Sequence, residues 1–359
     1  MNVRPHPSPL PGERENHSPR SGEMSATDFG ARSKMSGTKT EMAAVPAGFS
    51  RDDASLSHSS GERAGVRLSV NSNISRRGFL RASAAAAVGL AALGSRGAAA
   101  PSKPGGLIDV NVSLGRWPFR RLPLDDTAKL VAKLRRHGAA QAWAGSFAAA
   151  FDQDPGAANA WLAEECRERG RGLLLPFGTV NPKRPDWERE LQRCVETHHV
   201  RGLRLFPGYH HYQLDDEAFA KLFSLAAQQK LVLQIVTDLE DERTQPAEAT
   251  APHVDAKPLL TRLKDFPAAR VVLLNWHRSV SAPLVPQLAA AGVSFDIATL
   301  ESVGGVANLM GKISPERVLF GSHAPFFHFE SAALKLKESE LNLAQLRAVS
   351  ELNARRLLA

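Results

Sequence analysis

The stretch "VLFGSHAPFF", Val318 to Phe327, closes a series of short apolar runs along this sequence. The run stops at a Gly-Ser turn, and the first side chain beyond the turn is His323. A buried parallel strand that ends in this way presents the next residue at the carboxyl edge of its sheet. At such an edge, His323 would serve as a metal ligand, a proton carrier or a turn residue.

Eight apolar runs of strand length alternate with segments of helical periodicity. The predicted strands are 107–113, 140–145, 173–180, 200–206, 231–237, 270–275, 293–299 and 317–322. The predicted helices are 125–137, 155–169, 185–198, 215–229, 255–265, 282–291, 303–313 and 331–341. Eight βα units in about 250 residues are typical of a TIM (β/α)8 barrel, a single-domain α/β fold. A doubly wound open sheet is the alternative, but it usually has a glycine-rich phosphate loop, which this sequence lacks.

The first hundred residues are predicted to precede the barrel domain of residues 101–359. Residues 1–73 are rich in Ser, Pro, Gly, Arg and Glu without apolar periodicity, which is typical of a disordered segment. Residues 74–100 contain Arg76 and Arg77, a short apolar stretch and small residues at their end.

This second segment resembles a bacterial twin-arginine (Tat) export signal, with an Ala-rich linker as the alternative. The resemblance implies transient contact with the Tat translocase and a periplasmic or extracellular location. Because such signals normally stand at the N-terminus, one hypothesis is that residues 1–73 extend beyond the true start.

The net charge of +8 comes largely from the N-terminal segments. Of the 45 Lys+Arg and 37 Asp+Glu residues, 13 and 8 lie in residues 1–100, which leaves 32 and 29 for the barrel. A nearly neutral domain has no basic surplus for nucleic acid, so the expected partner is a small molecule. Cys166 and Cys194 fit neither a disulfide framework nor zinc-ligand spacing, and we expect two unpaired thiols.

Polar residues are predicted to line the upper barrel. Alternate strand residues face opposite sides, so Ile108, Val110 and Val112 are predicted to face the helices. The predicted inward or strand-end residues are Asp109, Asn111, Ser113, Arg204, Gln234, Val236, Asp238, Asn275, Asp296 and His323. Because an unpaired buried charge costs several kcal/mol, these groups must pair with each other, with water or with a ligand.

Five stretches of the chain resemble motifs of the amidohydrolase superfamily. They are "IDVNVSLG" (108–115), "GLRLFPGYHHYQLDD" (202–216), "RVVLLNWH" (270–277), "RVLFGSHAPF" (317–326) and "NARRLL" (353–358). The sequence is similar to the branch related to aminocarboxymuconate-semialdehyde decarboxylase and the dicarboxylate lactonases. The resemblance implies a barrel with an H-x-H pair on strand 1, histidines on strands 5 and 6, and an aspartate after strand 8.

The positions that the resemblance links to metal carry other residues. They are Asn111, Ser113, Val236, Asn275 and His323. Zinc needs three or four His, Asp, Glu or Cys donors at about 2 Å, so we expect no metal cofactor. A relocated divalent metal is the alternative. Its nominal donors are Asp109, His210, His211, Asp238, His277 and His323.

The predicted catalytic residues are His323, Asp238 and Asn275. His323 could act as a general base near neutral pH, or it could fill the barrel mouth as a structural histidine. Asp238 belongs to the loop "TDLEDERTQ" (237–245), which follows strand 5 over the barrel mouth or is simply a solvated acidic loop.

The predicted substrate-binding residues are Arg204, Asn111, Ser113, His210 and His277. The Arg204 guanidinium suits a carboxylate, or it forms an internal salt bridge to an aspartate, Asp238 or Asp296. His210 lies in "YHHY" (209–212), which forms a ligand rim or packs locally. Aromatic residues after strands 1 and 8 wall a pocket or cover the barrel top. They are Trp117, Phe119, Phe326 and Phe327.

Three functions remain open from the sequence. The first is a metal-independent, exported hydrolase of the amidohydrolase-related type that acts on a small carboxylate-bearing ester, lactone or amide. The second is a catalytically inactive barrel that binds a small ligand. The third is a metal-dependent hydrolase or decarboxylase with a relocated metal site. Membership of a fold family supports the fold more strongly than the reaction.

Overall fold

The structure is a computed structural model that describes residues 105–152, 154–241, 243 and 245–359. The predicted disordered segment 1–73 and the export signal 74–100 lie outside the described residues. Within the described ranges, no helix combines the length and hydropathy needed to span a bilayer.

Short parallel strands and helices alternate along the described chain, as predicted. The strands are β1 (Leu107–Leu114), β2 (Ala139–Ser146), β3 (Leu174–Pro176), β4 (Gly202–Leu205), β5 (Val232–Val236), β6 (Arg270–Leu274), β7 (Ser294–Asp296) and β8 (Val318–Leu319). Several are shorter than predicted, because the ends of the apolar runs continue as irregular backbone.

Each predicted helix has an observed counterpart. The helices are α1 (Thr127–Arg136), α2 (Ala148–Phe151), α3 (Gly156–Glu168), α4 (Trp187–Glu196), α5 (Glu217–Gln228), α6 (Leu259–Asp265), α7 (Leu284–Ala291), α8 (Gly305–Met310), α9 (Phe329–Glu338), α10 (Leu343–Arg347) and α11 (Asn353–Leu358). The short helix α2 and the C-terminal pair α10 and α11 were not predicted, and a π-helical turn, Ala348–Leu352, joins that pair.

The local sequence explains where several helices begin and end. Asp126 caps α1 by accepting a hydrogen bond from the backbone N–H of Lys129. Asn342 and Gln345 form a reciprocal capping box at the start of α10. Gly292 ends α7 with a φ of 117°, a conformation that glycine adopts at little cost.

The strands close into a barrel. Strands β1–β2–β3 and β4–β5–β6–β7–β8 form two parallel runs, and isolated bridges join them at Gly178 with Leu203 and at Val112 with Ala324. The bridges use backbone hydrogen bonds such as Arg204 N to Gly178 O at 2.7 Å. The predicted TIM barrel is therefore confirmed, and the carboxyl ends of all strands meet at one mouth.

In the first half of β1, the side chains do not point to the sides of the sheet that the sequence predicted. A register shift between Asp109 and Val112 inserts an extra residue opposite β2, which is a β-bulge. Ile108 and Val110 consequently join the apolar cluster inside the barrel, whereas Val112 packs in the cluster beneath the helices as predicted. The expectation that Ile108 and Val110 face the helices was wrong, because simple alternation ignores the bulge.

The two cysteines are buried on the inner faces of their helices. Cys166 lies on α3 and Cys194 on α4, and both are free thiols. Cys194 Sγ lies 3.7 Å from Oε1 of Glu190. Burial raises the pKa of the Cys166 thiol to about 12, so this thiol is uncharged at neutral pH.

Candidate functional site

Arg204 crosses the barrel interior from β4. Its side chain is 1% exposed, and its three nitrogens make five hydrogen bonds within the protein. The accepting atoms are Oε1 of Gln234, the carbonyl oxygens of Val110, Val112 and Trp143, and Oγ of Ser113. Burial lowers the pKa of Arg204 to about 10, so the guanidinium remains protonated at neutral pH.

These contacts bear on the predicted roles of Arg204. The guanidinium contacts neutral oxygens, and the charges of Asp109 and Asp296 oppose the effect of burial on its pKa. The alternative of an internal salt bridge stays a prediction. A substrate carboxylate would have to displace one of the five acceptors. Substrate binding by Arg204 and Ser113 therefore stays a prediction.

Asn111 joins the ends of three strands. Its Nδ2 donates to Oδ1 of Asn275 at 2.8 Å and to Oδ2 of Asp296 at 2.7 Å. The backbone N–H of Asn275 donates to Oδ1 of Asp296 at 3.0 Å. Burial raises the pKa of Asp296 to about 7, and the hydrogen bonds from Asn111 and Asn275 oppose the rise. The inward polar residues of β1, β6 and β7 thus contact one another inside the barrel.

Asp109 ties β1 to the segment after β8. Its Oδ1 accepts hydrogen bonds from the backbone N–H groups of Ser322 at 2.9 Å and Asn111 at 3.1 Å. Burial raises the pKa of Asp109 to about 6, while its hydrogen bonds and the charge of Arg204 act in the opposite direction. Asp109 therefore stabilises the closure of the barrel rather than facing the mouth.

His323 is packed into the barrel mouth behind the loop that follows β5. The side chain is 2% exposed, and its Nε2 lies 2.8 Å from the carbonyl oxygen of Leu239. The ring is parallel to that of Phe326, with centroids 5.0 Å apart. Burial lowers the pKa of His323 to about 4, so the imidazole is neutral at physiological pH. A catalytic role for His323 stays a prediction.

Aromatic rings cover one side of the barrel mouth. Trp117 stands at their centre, with ring centroids 4.7 Å from Phe326, 5.1 Å from Phe151 and 5.4 Å from both Phe119 and Phe147. Edge-to-face pairs of this kind are favourable beyond the area that they bury. The rings pack against each other and cover this side of the barrel.

A cleft of about 860 Å³ opens on the other side of the mouth, among the loops after β5, β6 and β7 and helix α9. Asp238 and Asn275, two of the predicted catalytic residues, line it. Further lining residues that the sequence did not single out are His253, Arg278 and Lys335. The predicted residues that do not line this cleft are Asn111, Ser113, Arg204, His210, His277 and His323.

Asp238 is one of four carboxylates that line this cleft. The hydroxyl of Ser279 donates to its Oδ2, and Nδ1 of His253 lies 4.0 Å from its Oδ1. The backbone carbonyl of Asp238 accepts a hydrogen bond from Nδ2 of Asn275 at 2.7 Å. The Asp238 side chain is 26% exposed and that of His253 is 66% exposed, so water reaches both. A carboxylate that faces an exposed imidazole is an arrangement able to move a proton.

The remaining cleft charges are mostly paired. Arg278 forms ion pairs with Asp241 and Glu301, and Arg243 pairs with Asp241 at 2.6 Å. The ammonium of Lys335 instead donates to carbonyl oxygens after β7. Burial lowers the pKa of Lys335, and nearby carboxylates oppose the shift. Lys335 is thus a cleft cation suited to an anionic ligand group.

The two remaining histidines of the predicted site lie elsewhere. His210 is 1% exposed, and its Nε2 lies 2.9 Å from the carbonyl oxygen of Ala149. Burial lowers the pKa of His210 to about 4. His277 lines a separate pocket of about 420 Å³ with Trp276 and Lys312. Their substrate-binding roles stay predictions, and the structure does not bring them to the Asp238 cleft.

Sequence reasoning missed His253. It lies in the irregular segment that follows β5, and neither periodicity nor a motif distinguishes it there. Only the folding of this segment back over the mouth brings the imidazole to Asp238. The acidic loop itself was a weak signal, because it placed ionisable groups after a barrel strand.

Several solved structures share this fold. The 5-carboxyvanillate decarboxylase from Sphingomonas paucimobilis aligns with a TM-score of 0.57 at 15% identity, over 71% of this chain and 99% of that chain. The 2,6-dihydroxybenzoate decarboxylase from Rhizobium has a TM-score of 0.53 at 15% identity, over 70% of this chain and 98% of that chain. The dihydroxybenzoic acid decarboxylase from Polaromonas sp. JS666, with bound manganese and the inhibitor 2-nitroresorcinol, has a TM-score of 0.53 at 15% identity, covering 71% and 97%. At this identity the likeness concerns the fold alone.

The donors at the barrel mouth do not fit a divalent cation of that kind. The Asn111 amide points its N–H groups at the oxygens of Asn275 and Asp296, and Nε2 of His323 is engaged with a carbonyl. Val236 has no donor atom. Among the described residues, no three His, Cys, Asp or Glu side chains come together in a way that could hold a metal ion. The nominal donors of the relocated site are therefore not assembled in this part of the chain.

The family relationship rests on a match over residues 115–359. No curated protein sequence matches the chain. A family model described as "Amidohydrolase" matches residues 115–359, which includes all strands from β2 to β8 and the C-terminal helices. Because this match covers more than half of the chain, the chain belongs to the amidohydrolase family.

Proposed function

We propose that this protein is a metal-independent hydrolase that acts on a small carboxylate-bearing ester, lactone or amide in the Asp238 cleft. The observation that supports this proposal most directly is the Asp238 carboxylate between the Ser279 hydroxyl and the His253 imidazole. The cleft volume of about 860 Å³ is in the range of small-molecule sites.

In this proposal His253 is the general base and Asp238 orients it. With Nδ1–H directed at the Asp238 carboxylate, Nε2 accepts a proton from a water molecule, whose oxygen attacks the substrate carbonyl carbon. The carbonyl electrons move to the oxygen, and collapse of the tetrahedral intermediate expels the alkoxide or amine, which takes the proton back from His253. The distance of 4.0 Å is long for a hydrogen bond, and such contacts commonly shorten when substrate binds.

Positive side chains of the cleft supply the anion contacts. Lys335 donates to carbonyl oxygens and faces the cleft, so its ammonium is suited to a substrate carboxylate or to the oxyanion. The residues at three of the metal-linked positions, Asn111, Asn275 and His323, are amides and a neutral histidine, which supports a mechanism without a metal-bound nucleophile.

The experiment compares hydrolysis of a panel of small carboxylate-bearing lactones, esters and amides by the wild type, Asp238→Asn and His253→Ala. General-base catalysis typically contributes 10²–10⁴-fold, so we expect kcat/KM to fall by roughly 100-fold or more in both variants. Glu164→Gln, which changes a carboxylate with a 61% exposed side chain on α3, is the matched control. Wild-type turnover in both site variants, or a stoichiometric transition metal in the active protein, would contradict the proposal.

A second candidate is a barrel that binds a small anion without turnover. The observation that favours it is the hydrogen bonding of Arg204. This buried guanidinium donates to oxygens of the protein itself, so it is not free to take part in a reaction on a substrate. Saturable binding of a panel compound that Lys335→Ala weakens, with no hydrolysis by the wild type, would support this candidate over the first.

Export by the Tat route is part of the proposal. Its support is the Arg76-Arg77 pair with the apolar stretch and small residues that follow. Replacing both arginines with lysine is expected to abolish export in a bacterial host, as measured by cell fractionation. Equal export of the double variant would contradict it.

A further inference from the structure

Two residues at the barrel mouth have an unusual backbone conformation. Asn275, after β6, has a φ of 59°, and His323, after β8, has a φ of 56°. Asn and His adopt this left-handed region more readily than most residues, but few non-glycine residues adopt it at all. Such conformations persist where surrounding contacts hold them, and they cluster at functional sites.

Both side chains donate to the same loop. Nδ2 of Asn275 donates to the carbonyl oxygen of Asp238 at 2.7 Å, and Nε2 of His323 lies 2.8 Å from the carbonyl oxygen of Leu239. The residue before these two, Thr237, donates its hydroxyl to the carbonyl oxygen of Leu274 at 3.1 Å. Three consecutive residues of the loop after β5 are therefore bonded to the ends of β6 and β8.

The side chains of Asn275 and His323 are themselves fixed by contacts with other residues of the barrel. Oδ1 of Asn275 accepts from Nδ2 of Asn111, and its backbone N–H donates to Asp296. His323 is buried and stacks flat on Phe326. Neither side chain can turn away from the loop without breaking contacts inside the barrel.

The bond to Leu239 also determines the state of the imidazole. A carbonyl oxygen can only accept, so Nε2 of His323 carries the proton, and in the neutral ring Nδ1 does not. Among the described residues, no partner lies within hydrogen-bond distance of Nδ1. In this tautomer the imidazole donates its Nε2–H to the loop.

From these contacts we propose that Asn275 and His323 are positioning residues, which fix the loop carbonyls of Asp238 and Leu239 and so hold the Asp238 carboxylate in the cleft. The functional part rests on the proposed hydrolase activity, whereas the contacts can be tested without any substrate. The pair of donors forms a clamp on residues 238 and 239.

The first test measures the wild-type protein in solution. Nitrogen-15 NMR of the histidines is expected to show His323 as the neutral Nε2–H tautomer, unchanged between pH 5 and pH 8. A Nδ1–H tautomer for this residue, or titration within that range, would overturn the clamp.

The second test is hydrogen–deuterium exchange of the full-length protein over residues 237–241. His323→Leu removes the donor, whereas His323→Gln keeps an amide N–H close to the position of Nε2. Asn275→Asp keeps the acceptor for Asn111 and a residue type that tolerates a positive φ, but it removes the donor to Asp238. We expect exchange to accelerate at least 10-fold in His323→Leu and Asn275→Asp and to stay near the wild-type rate in His323→Gln.

Strand β2 is the internal control for these variants, since a local effect leaves its exchange unchanged. Unchanged exchange of residues 237–241 in His323→Leu, or equal acceleration in His323→Gln, would overturn the proposal. A variant that does not fold still leaves the NMR measurement to decide.

Activity separates the clamp from the proposed function. If the wild type hydrolyses a panel compound, kcat is expected to fall at least 10-fold in His323→Leu, with a smaller change in KM, and to recover in His323→Gln. If Asp238→Asn loses activity while His323→Leu keeps it, the clamp is wrong and the function stands. If the wild type hydrolyses none, the function fails, and the exchange and NMR results still decide the clamp.

Discussion

At the scale of single residues, Arg204 depends on the glycine opposite it. The sequence placed Arg204 inside the barrel, and the structure confirms this, but its partners are carbonyl, amide and hydroxyl oxygens. The guanidinium reaches them by passing Gly145 of β2. A Cβ atom at Gly145 would lie 2.6 Å from Cδ of Arg204, which is closer than such contacts allow.

We therefore expect Gly145→Ala to lower the free energy of unfolding by about 1–3 kcal/mol, as overpacked cores do. Urea denaturation measures the change. Gly311→Ala is the control, because its Cβ would meet only backbone oxygens at 3.5 Å or more and its φ of −71° suits alanine. Equal stability of the two variants would mean that Arg204 moves aside at little cost.

At the scale of elements, the side chain of Asn353 hydrogen-bonds the C-terminal helix to the last strand. Nδ2 of Asn353, at the start of α11, donates to the carbonyl oxygens of Pro315 at 2.8 Å and Val318 at 2.7 Å. This asparagine opens the "NARRLL" segment, and its contacts give that segment a structural role. The sequence marked this segment as a motif of the resemblance but did not predict the helix α11 or these bonds.

We expect Asn353→Ala to destabilise the fold by about 1–3 kcal/mol, because it leaves the buried carbonyl of Val318 and the half-buried carbonyl of Pro315 without this donor. The measurement is again the urea midpoint, with the slope of the transition as a check on two-state behaviour. Asn308→Ala removes only an exposed contact of 3.5 Å and is expected to change stability by less than about 0.5 kcal/mol. A similar loss in both variants would contradict a specific role for Asn353.

At the scale of the whole molecule, four buried groups make the free energy of unfolding depend on pH. The two carboxyl groups and the two histidines act in opposite directions. Burial raises the pKa of Asp109 to about 6 and of Asp296 to about 7, so the folded state binds protons that the unfolded state has released. Their contribution falls as pH rises from about 4 to about 7. Burial lowers the pKa of His210 and His323 to about 4, so their contribution is lost as pH falls from about 6.5 to about 4.

Removing one carboxyl group is expected to unbalance these effects. The wild type loses the contribution of Asp296 as pH rises, whereas Asp296→Asn has none to lose. The free energy of unfolding of the variant minus that of the wild type should therefore increase by on the order of 2 kcal/mol between pH 5 and pH 8. Urea titrations at several pH values measure the difference, and Asp154→Asn, which changes an exposed carboxylate, is the control. Parallel curves for Asp296→Asn would show that Asp296 titrates alike in both states.

The sequence by itself determined the number, order and type of the barrel elements, since alternating apolar runs and helical periods are local properties of the chain. It also showed that polar residues stand at the ends of several strands, whereas strict alternation failed on β1, where the bulge changes the facing of Ile108 and Val110. The structure alone decided which polar groups meet: the bulge in β1, the turns at Asn275 and His323, and the folding of the segment that carries His253. Those contacts join residues far apart in the chain, so their geometry follows from closure of the barrel rather than from any local pattern.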